Sequence, residues 1–200
     1  MTDRVIVTDH IFESLDFERE ALADTAIEFE YVQATTEQEV IDALDGTTAI
    51  LSTNAPITRA VFEAQDELKV VGRYGIGVDT VDVEAASEHG IQVVNVDSYC
   101  EEEVSTHALA LLLSVVRRIS AYDSEVRDGE WDWMTGIPLH RLAGKTVGFA
   151  GFGKIAQLLR EKMQAFDVEF VAYDPYLSES EMADLRVQKV TFETFLDSVD

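Results

Sequence analysis

An α/β protein built on parallel sheets is the fold class that this sequence predicts, on three observations. Short β-branched runs recur along the first half: "RVIVTD" (4–9), "FEYV" (29–32), "AILS" (49–52), "KVVGRYG" (69–75) and "IQVVNV" (91–96). Helical patterns separate them, as in "TEQEVIDAL" (36–44) and "VDVEAASEHG" (81–90). A second strand–helix–strand unit opens at Thr146 with "TVGFAG", "KIAQLLREKMQAF" and "VEFVAYD". Strands alternating with short helices form βαβ units, whose crossovers make neighbouring strands parallel.

Residues 1–100 read as one small α/β domain. A long helix is expected from about Glu102 to Tyr122, apolar nearly all round through Ala108–Val116. A helix of that kind is buried between domains or between subunits. The turn-rich "RDGEWDWMTGIPLHRLAGKT" follows it, and its Trp131 and Trp133 are expected to pack at an interface.

Charge narrows the function. The 200 residues carry 39 Asp and Glu against 15 Lys and Arg, a formal net charge of −24. Nucleic acid and anionic membrane both require clustered cations, so neither is an expected partner. The acids are scattered through a chain that is 46% hydrophobic, which suggests adaptation to high salt, a halophilic trait. The alternative is an ordinary acidic protein. Cys100 is the single cysteine, which fits a reducing compartment. "MTDRVIVTDH" has no signal-peptide character, and "HALALLLSVV" falls short of the roughly twenty apolar residues of a membrane span. The expectation is a soluble cytoplasmic protein.

The chemistry concentrates in "VGFAGFGKIAQ" (147–157), where Gly148, Gly151 and Gly153 stand between a strand and a helix. Gly151-Phe-Gly153-Lys-Ile-Ala156 fits G-x-G-x-x-[G/A]. In that pattern the first glycine turns the chain, the second admits a pyrophosphate to the backbone, and the third position keeps helix and strand close. The helix N-terminus adds N–H groups and a positive dipole end. Asp174 ends the next strand, where its carboxylate can accept hydrogen bonds from an adenine ribose. The same charge repels a 2′-phosphate, so NAD is favoured over NADP.

"KTVGFAGFGKIAQLLREKMQAFDVEFVAYDPY" resembles the cofactor core of the D-isomer-specific 2-hydroxyacid dehydrogenases. "LKVVGRYGIGVDTVDVEAASEHGIQVVNV" is similar to that family's substrate-loop segment, and "CEEEVSTHALALLLSVVRR" to its long interdomain helix. The wording is nearest the branch of C-terminal-binding-protein-like and phosphoglycerate-dehydrogenase-like members, and the resemblance runs from about residue 48 to 176. It implies a flavodoxin-like, parallel-sheet substrate domain over 1–101. Residues 102–200 then hold the interdomain helix and the first part of a Rossmann NAD-binding domain. It implies that the backbone at Gly75, Ile76 and Gly77 holds the substrate carboxylate, that Ser52 and Thr53 line a substrate-facing loop, and that Lys154 and Ile155 touch the pyrophosphate. Phosphoglycerate-specific members tend to carry an Arg near Ser52, and none stands beside it here. The apolar helix 102–122, with Trp131 and Trp133 just after it, is expected to form most of a two-fold interface in a homodimer.

The family's Arg and its Glu–His acid–base pair lie beyond the position of Asp174, and no matching motif occurs before Asp200. His10, His89, His107 and His140 lack a motif supplying a carboxylate partner, and no metal-ligand spacing is present. The edge of the "TVGFAG" strand is therefore expected to be open. The leading expectation is an NAD-dependent oxidoreductase interconverting 2-hydroxy and 2-oxo acids, with residues 1–200 alone inactive. Its rivals are a non-catalytic NAD-binding regulatory protein, a truncated remnant, and an alanine-dehydrogenase-like enzyme.

Overall fold

The computed structural model describes residues 3–199. The chain divides into two compact units, Met1–Tyr99 and Cys100–Asp200.

The first unit runs β1 (Arg4–Val7), α1 (Asp16–Leu22), β2 (Glu28–Tyr31), α2 (Glu37–Asp42), β3 (Thr47–Ser52), α3 (Arg59–Glu63), β4 (Val70–Arg73), α4 (Val83–Glu88), β5 (Gln92–Asn95). Its sheet has the order β2-β1-β3-β4-β5, with every pair parallel. That is the flavodoxin-like order, and its direction of winding reverses between β1 and β3. Ile6, Ile50 and Val71 of the central strands are fully buried in one cluster with Val40 and Leu44 around α2, Val61 and Phe62 of α3, and Ala85 of α4. Local signals set the helix starts. Thr36 and Glu39 form a reciprocal capping box on α2, and Asp82 accepts the Ala85 N–H at 2.9 Å to start α4. The first strand is shorter than the run 4–9, because Asp9 turns out of the ladder to serve a neighbouring loop. Helix α1, not expected from the acidic stretch that holds it, buries none of its residues.

The second unit contains α5 (Glu101–Val116), α6 (Ile119–Arg127), β6 (Thr146–Ala150), α7 (Lys154–Lys162), a 3₁₀ turn (Met163–Phe166), β7 (Glu169–Tyr173), α8 (Glu179–Asp184), β8 (Gln188–Lys189) and α9 (Phe192–Ser198). Its sheet is β6-β7-β8, all parallel, over a core of Phe149, Phe152, Ala172, Met182 and Val187. Among the described residues β6 is an edge strand.

The single helix expected over 102–122 is corrected to two, bent by 66°. Arg118 adopts φ 52°, a left-handed conformation that ends the ladder of α5, and α6 restarts on its carbonyl. Within the single chain Ser105 is the buried residue of α5, while Leu111 and Val115 are 55% and 75% exposed. No single helix among the described residues is long and apolar enough to cross a membrane.

Candidate functional site

Two clusters stand at the carboxyl ends of strands, one in each unit. In the first unit the reversal of winding between β1 and β3 places the chain after β1 beside the chain after β3. Ligands of open α/β sheets bind at such a switch point. Here the Asp9 carboxylate fills it from within. Its oxygens accept the N–H groups of Thr53 (3.0 Å), Asn54 (2.7 Å) and Ala55 (3.1 Å), and the hydroxyls of Thr8 (3.0 Å) and Ser52 (3.1 Å). Burial pushes the Asp9 carboxyl up, but the amides of Asn54, Thr53 and Ala55 together outweigh it and hold the group below its ordinary value.

Ser52 is fully buried and donates to Asp9, with the Ala55 carbonyl at 3.4 Å, while the Thr53 hydroxyl donates to the Asp9 carbonyl at 3.2 Å. Both expected site side chains are thus committed to shaping the turn. Asp9 carries that turn and was passed over in the sequence. Its one signal is position, an acid two residues past the end of an apolar strand.

The loop after β4 starts from Tyr74, whose N–H donates to the Ser52 carbonyl at 2.8 Å. Gly75 donates to Arg73 at 2.9 Å and accepts from the Val96 N–H at 3.1 Å, and the Asn95 side chain donates to the Ile76 carbonyl at 2.7 Å. Among the described residues the N–H groups of Ile76 and Gly77 donate to no protein acceptor. Gly75 has a specific reason to be glycine: a Cβ there would stand 1.4 Å from Arg73 Nη1. The guanidinium therefore lies against the bare loop. Its buried Nε has no hydrogen-bond partner. Arg73 is a second residue that sequence reasoning missed, because it reads as the polar end of a strand. One cation and two amides without a protein acceptor are groups that can receive an anion.

In the second unit Gly151 takes φ +90°, a conformation that only glycine adopts without strain, and donates to the Tyr173 carbonyl at 2.8 Å. A Cβ built on Gly151 or Gly153 meets nothing within 4 Å. The space beside the turn is open, so protein packing does not require a bare backbone at Gly153. Gly148 differs, since a Cβ there would lie 2.3 Å from Val199 and 2.5 Å from Phe195. Its bareness is explained by the seating of α9 on β6.

Gly153 caps α7, and the amides of Ile155 and Ala156 in the first turn donate to no protein acceptor. Lys154 lies 3.6 Å from Glu101 on α5. Asp174 is 8% exposed and holds the turn from the side. Its carboxylate accepts Phe152 N–H at 2.8 Å, Tyr176 N–H at 2.8 Å and Leu177 N–H at 3.0 Å, and these three amides lower its pKa. Phe152 contributes on both sides of this arrangement, with its ring fully buried and its amide on Asp174. A cleft of about 480 Å³ opens next to Asp174 and is lined by Tyr173, Glu179, Lys189, Phe192 and Glu193 among others.

None of the four histidines hydrogen-bonds a carboxylate among the described residues. His89 Nδ1 lies 2.8 Å from the Ala85 carbonyl, His107 and His140 are exposed, and the half-buried His10 sits among aromatic rings. No three His, Cys, Asp or Glu side chains gather as a metal site among the described residues.

Residues 5–200 match the family described as D-isomer specific 2-hydroxyacid dehydrogenase, catalytic domain. The D-3-phosphoglycerate dehydrogenase of Mycobacterium tuberculosis is 35% identical over 181 residues, which cover 90% of this chain and 34% of that protein. The D-3-phosphoglycerate dehydrogenase of Methanocaldococcus jannaschii is 32% identical over 190 residues, covering 94% of this chain and 35% of that one. The chain thus spans about a third of the length of these relatives. Among solved structures, the NAD-dependent formate dehydrogenase from Staphylococcus aureus in complex with NAD superposes with a TM-score of 0.81 at 27% identity, over 99% of this chain and 63% of that one.

Proposed function

The chain belongs to the D-isomer specific 2-hydroxyacid dehydrogenase family, and on that premise we propose that it serves an NAD-dependent oxidoreductase acting on the CH–OH group of a D-2-hydroxy acid, with reversible reduction of the 2-oxo acid. The observation that carries this reading is the turn at Gly151–Gly153: left-handed at its first glycine, open beside both, and running into the N-terminus of α7.

The open space and the amides of Ile155 and Ala156 fit a pyrophosphate, with Gly151, Gly153, Lys154 and Ile155 around it. Asp174 has given its oxygens to three amides, yet a carboxylate has about four lone-pair sites, so one is left for a ribose hydroxyl. Glu179 and Glu193 line the same cleft, and Lys189 donates to the Leu177 carbonyl. Negative charge there supports NAD over NADP. NAD, when bound, supplies or accepts the hydride.

In the first unit the amides of Ile76 and Gly77, with Gly75 and Arg73, hold the substrate carboxylate, while Asp9, Ser52 and Thr53 fix the adjoining turn. Among the described residues no histidine has a carboxylate partner, so they offer no identified proton donor. General acid–base help is worth about 10²–10⁴-fold in rate. The chain by itself therefore binds without measurable turnover.

The exposed apolar residues of α5 and α6, together with Trp131 (88% exposed) and Trp133 (69% exposed), support a homodimer through 102–122 and the segment after it. The scattered acid supports a cytoplasm of high salt. Fluorescence titration of the chain with NADH and NADPH tests the cofactor reading, and affinity for NADPH equal to that for NADH would overturn it.

A further inference from the structure

Residues 1–99 contain five cations, Arg4, Arg19, Arg59, Lys69 and Arg73. Arg4 pairs with Glu30 at 2.6 Å, Arg59 with Glu88 at 2.6 Å and Lys69 with Asp3 at 3.6 Å, and Arg19 lies over the Phe29 ring. Arg73 is the one cation among the described residues of this unit that lies against the Gly75–Gly77 loop. One guanidinium and two amides suffice for one carboxylate. A phosphate or second carboxylate on the same molecule would find no further cation in this unit. A second anionic group left without a cation partner is a means of rejection.

Large apolar groups also stand beside the loop. Phe12, in the segment after β1, meets Tyr74 edge-to-face with ring centroids 5.1 Å apart, and Tyr74 immediately precedes Gly75. Phe12 is nevertheless 44% exposed. Its segment is held by His10, stacked on Phe12 at 6.1 Å and edge-on to Tyr31 at 4.7 Å. After β5, Val96 is bonded to Gly75 and is 43% exposed. Large apolar groups left open beside an anion-binding loop suit a ligand with a carboxylate at one end and a hydrocarbon at the other.

Resting on the reading of the Gly75–Gly77 loop given above, we infer that the substrate is a monocarboxylic 2-oxo or 2-hydroxy acid with a branched aliphatic or aromatic side chain, and that Phe12 selects it. This separates the chain from its phosphoglycerate-named relatives by substrate charge.

The test is binding of pyruvate, 4-methyl-2-oxopentanoate, phenylpyruvate and 3-phosphooxypyruvate to the 200-residue chain with NADH present. The readout is the NMR shift of the amides of Gly75, Ile76 and Gly77. Apolar pocket contacts discriminate by about tenfold or more, so the branched and aromatic acids are expected to bind at least that much more tightly than pyruvate or 3-phosphooxypyruvate. Phe12→Ala should abolish this preference, and Phe12→Leu should retain it for 4-methyl-2-oxopentanoate. The ratio is internal to each variant, so loss of folded protein does not imitate the effect. Equal affinities, or a preference for 3-phosphooxypyruvate, overturn the inference and leave the loop reading standing. No shift at Gly75–Gly77 with any of the four acids overturns the loop reading, and the inference with it.

Discussion

Asp9 and Asp174 each stand just past the carboxyl end of a parallel strand, and each gathers three backbone amides of neighbouring turns. In the first unit the carboxylate lies within the crevice between β1 and β3, bonded to the turn that follows β3. In the second, Asp174 grips the glycine turn at Phe152 from the side, and the space in front of Gly151 and Gly153 stays open. The same interaction therefore closes the switch point of the first unit and braces the open glycine turn of the second. What differs is whether the anion that the amides require is supplied by the protein or left for a ligand.

The largest expected effect separates the two aspartates. Asp9→Ala strands the amides of Thr53, Asn54 and Ala55 in a half-buried turn and should cost about 2–3 kcal/mol in urea unfolding. Asp174→Ala strands the amides of Phe152, Tyr176 and Leu177 and should lower stability too, but it alone should also narrow the gap between NADH and NADPH affinities. A destabilisation by Asp9→Ala within error of zero would show that water replaces the carboxylate.

The glycines of the second unit sharpen the contrast. Gly148→Ala drives a methyl into Val199 and Phe195 and should cost about 1–3 kcal/mol by overpacking. Gly153→Val enters open space, so thermal unfolding should change little while NADH binding falls by tenfold or more. Loss of stability in Gly153→Val with unchanged NADH affinity would make that turn structural.

Acid should affect both units alike. Both carboxyls sit below the ordinary value of 3.8 in the folded protein. Their contribution is therefore complete above that value and lost as pH falls through the depressed folded values. Melting temperatures at pH 5 and 7 should agree in this respect, with the decline setting in below about pH 4 and flattened in Asp9→Asn.

Salt distinguishes the units more gently. The first holds 21 acidic and 5 basic residues, a net of −16, against 18 and 10, a net of −8, in the second. Dilution from 1 M to 0.1 M salt lengthens screening from about 3 Å to about 10 Å. Hydrogen exchange should then accelerate more in β1–β5 than in β6–β8.

The parallel architecture was legible because β-branched runs and helical patterns alternate at short intervals, and the glycine turn because three features coincide at 147–174. Other parts were not. Arg118 breaks the long helix without Gly or Pro, through a backbone conformation that no residue type announces. Asp9 and Arg73 are ordinary polar strand ends until the sheet order sets them beside the turn after β3 and the loop at Gly75. Ser52 matched a substrate-facing loop by resemblance, yet its burial depends on a partner 43 positions away in the chain. Gly148 stood in the same glycine-rich stretch, yet its bareness answers to Val199 and to Phe195 of α9.

The central claim, that the turn at Gly151–Gly153 takes NAD with Asp174 on the ribose, is tested most directly by titrating the 200-residue chain and its Asp174→Ala variant with NADH and NADPH at high salt. The account predicts binding of NADH at least tenfold tighter than NADPH, with the difference shrinking in the variant. Equal affinities in the unsubstituted chain, or a difference untouched by Asp174→Ala, would contradict it.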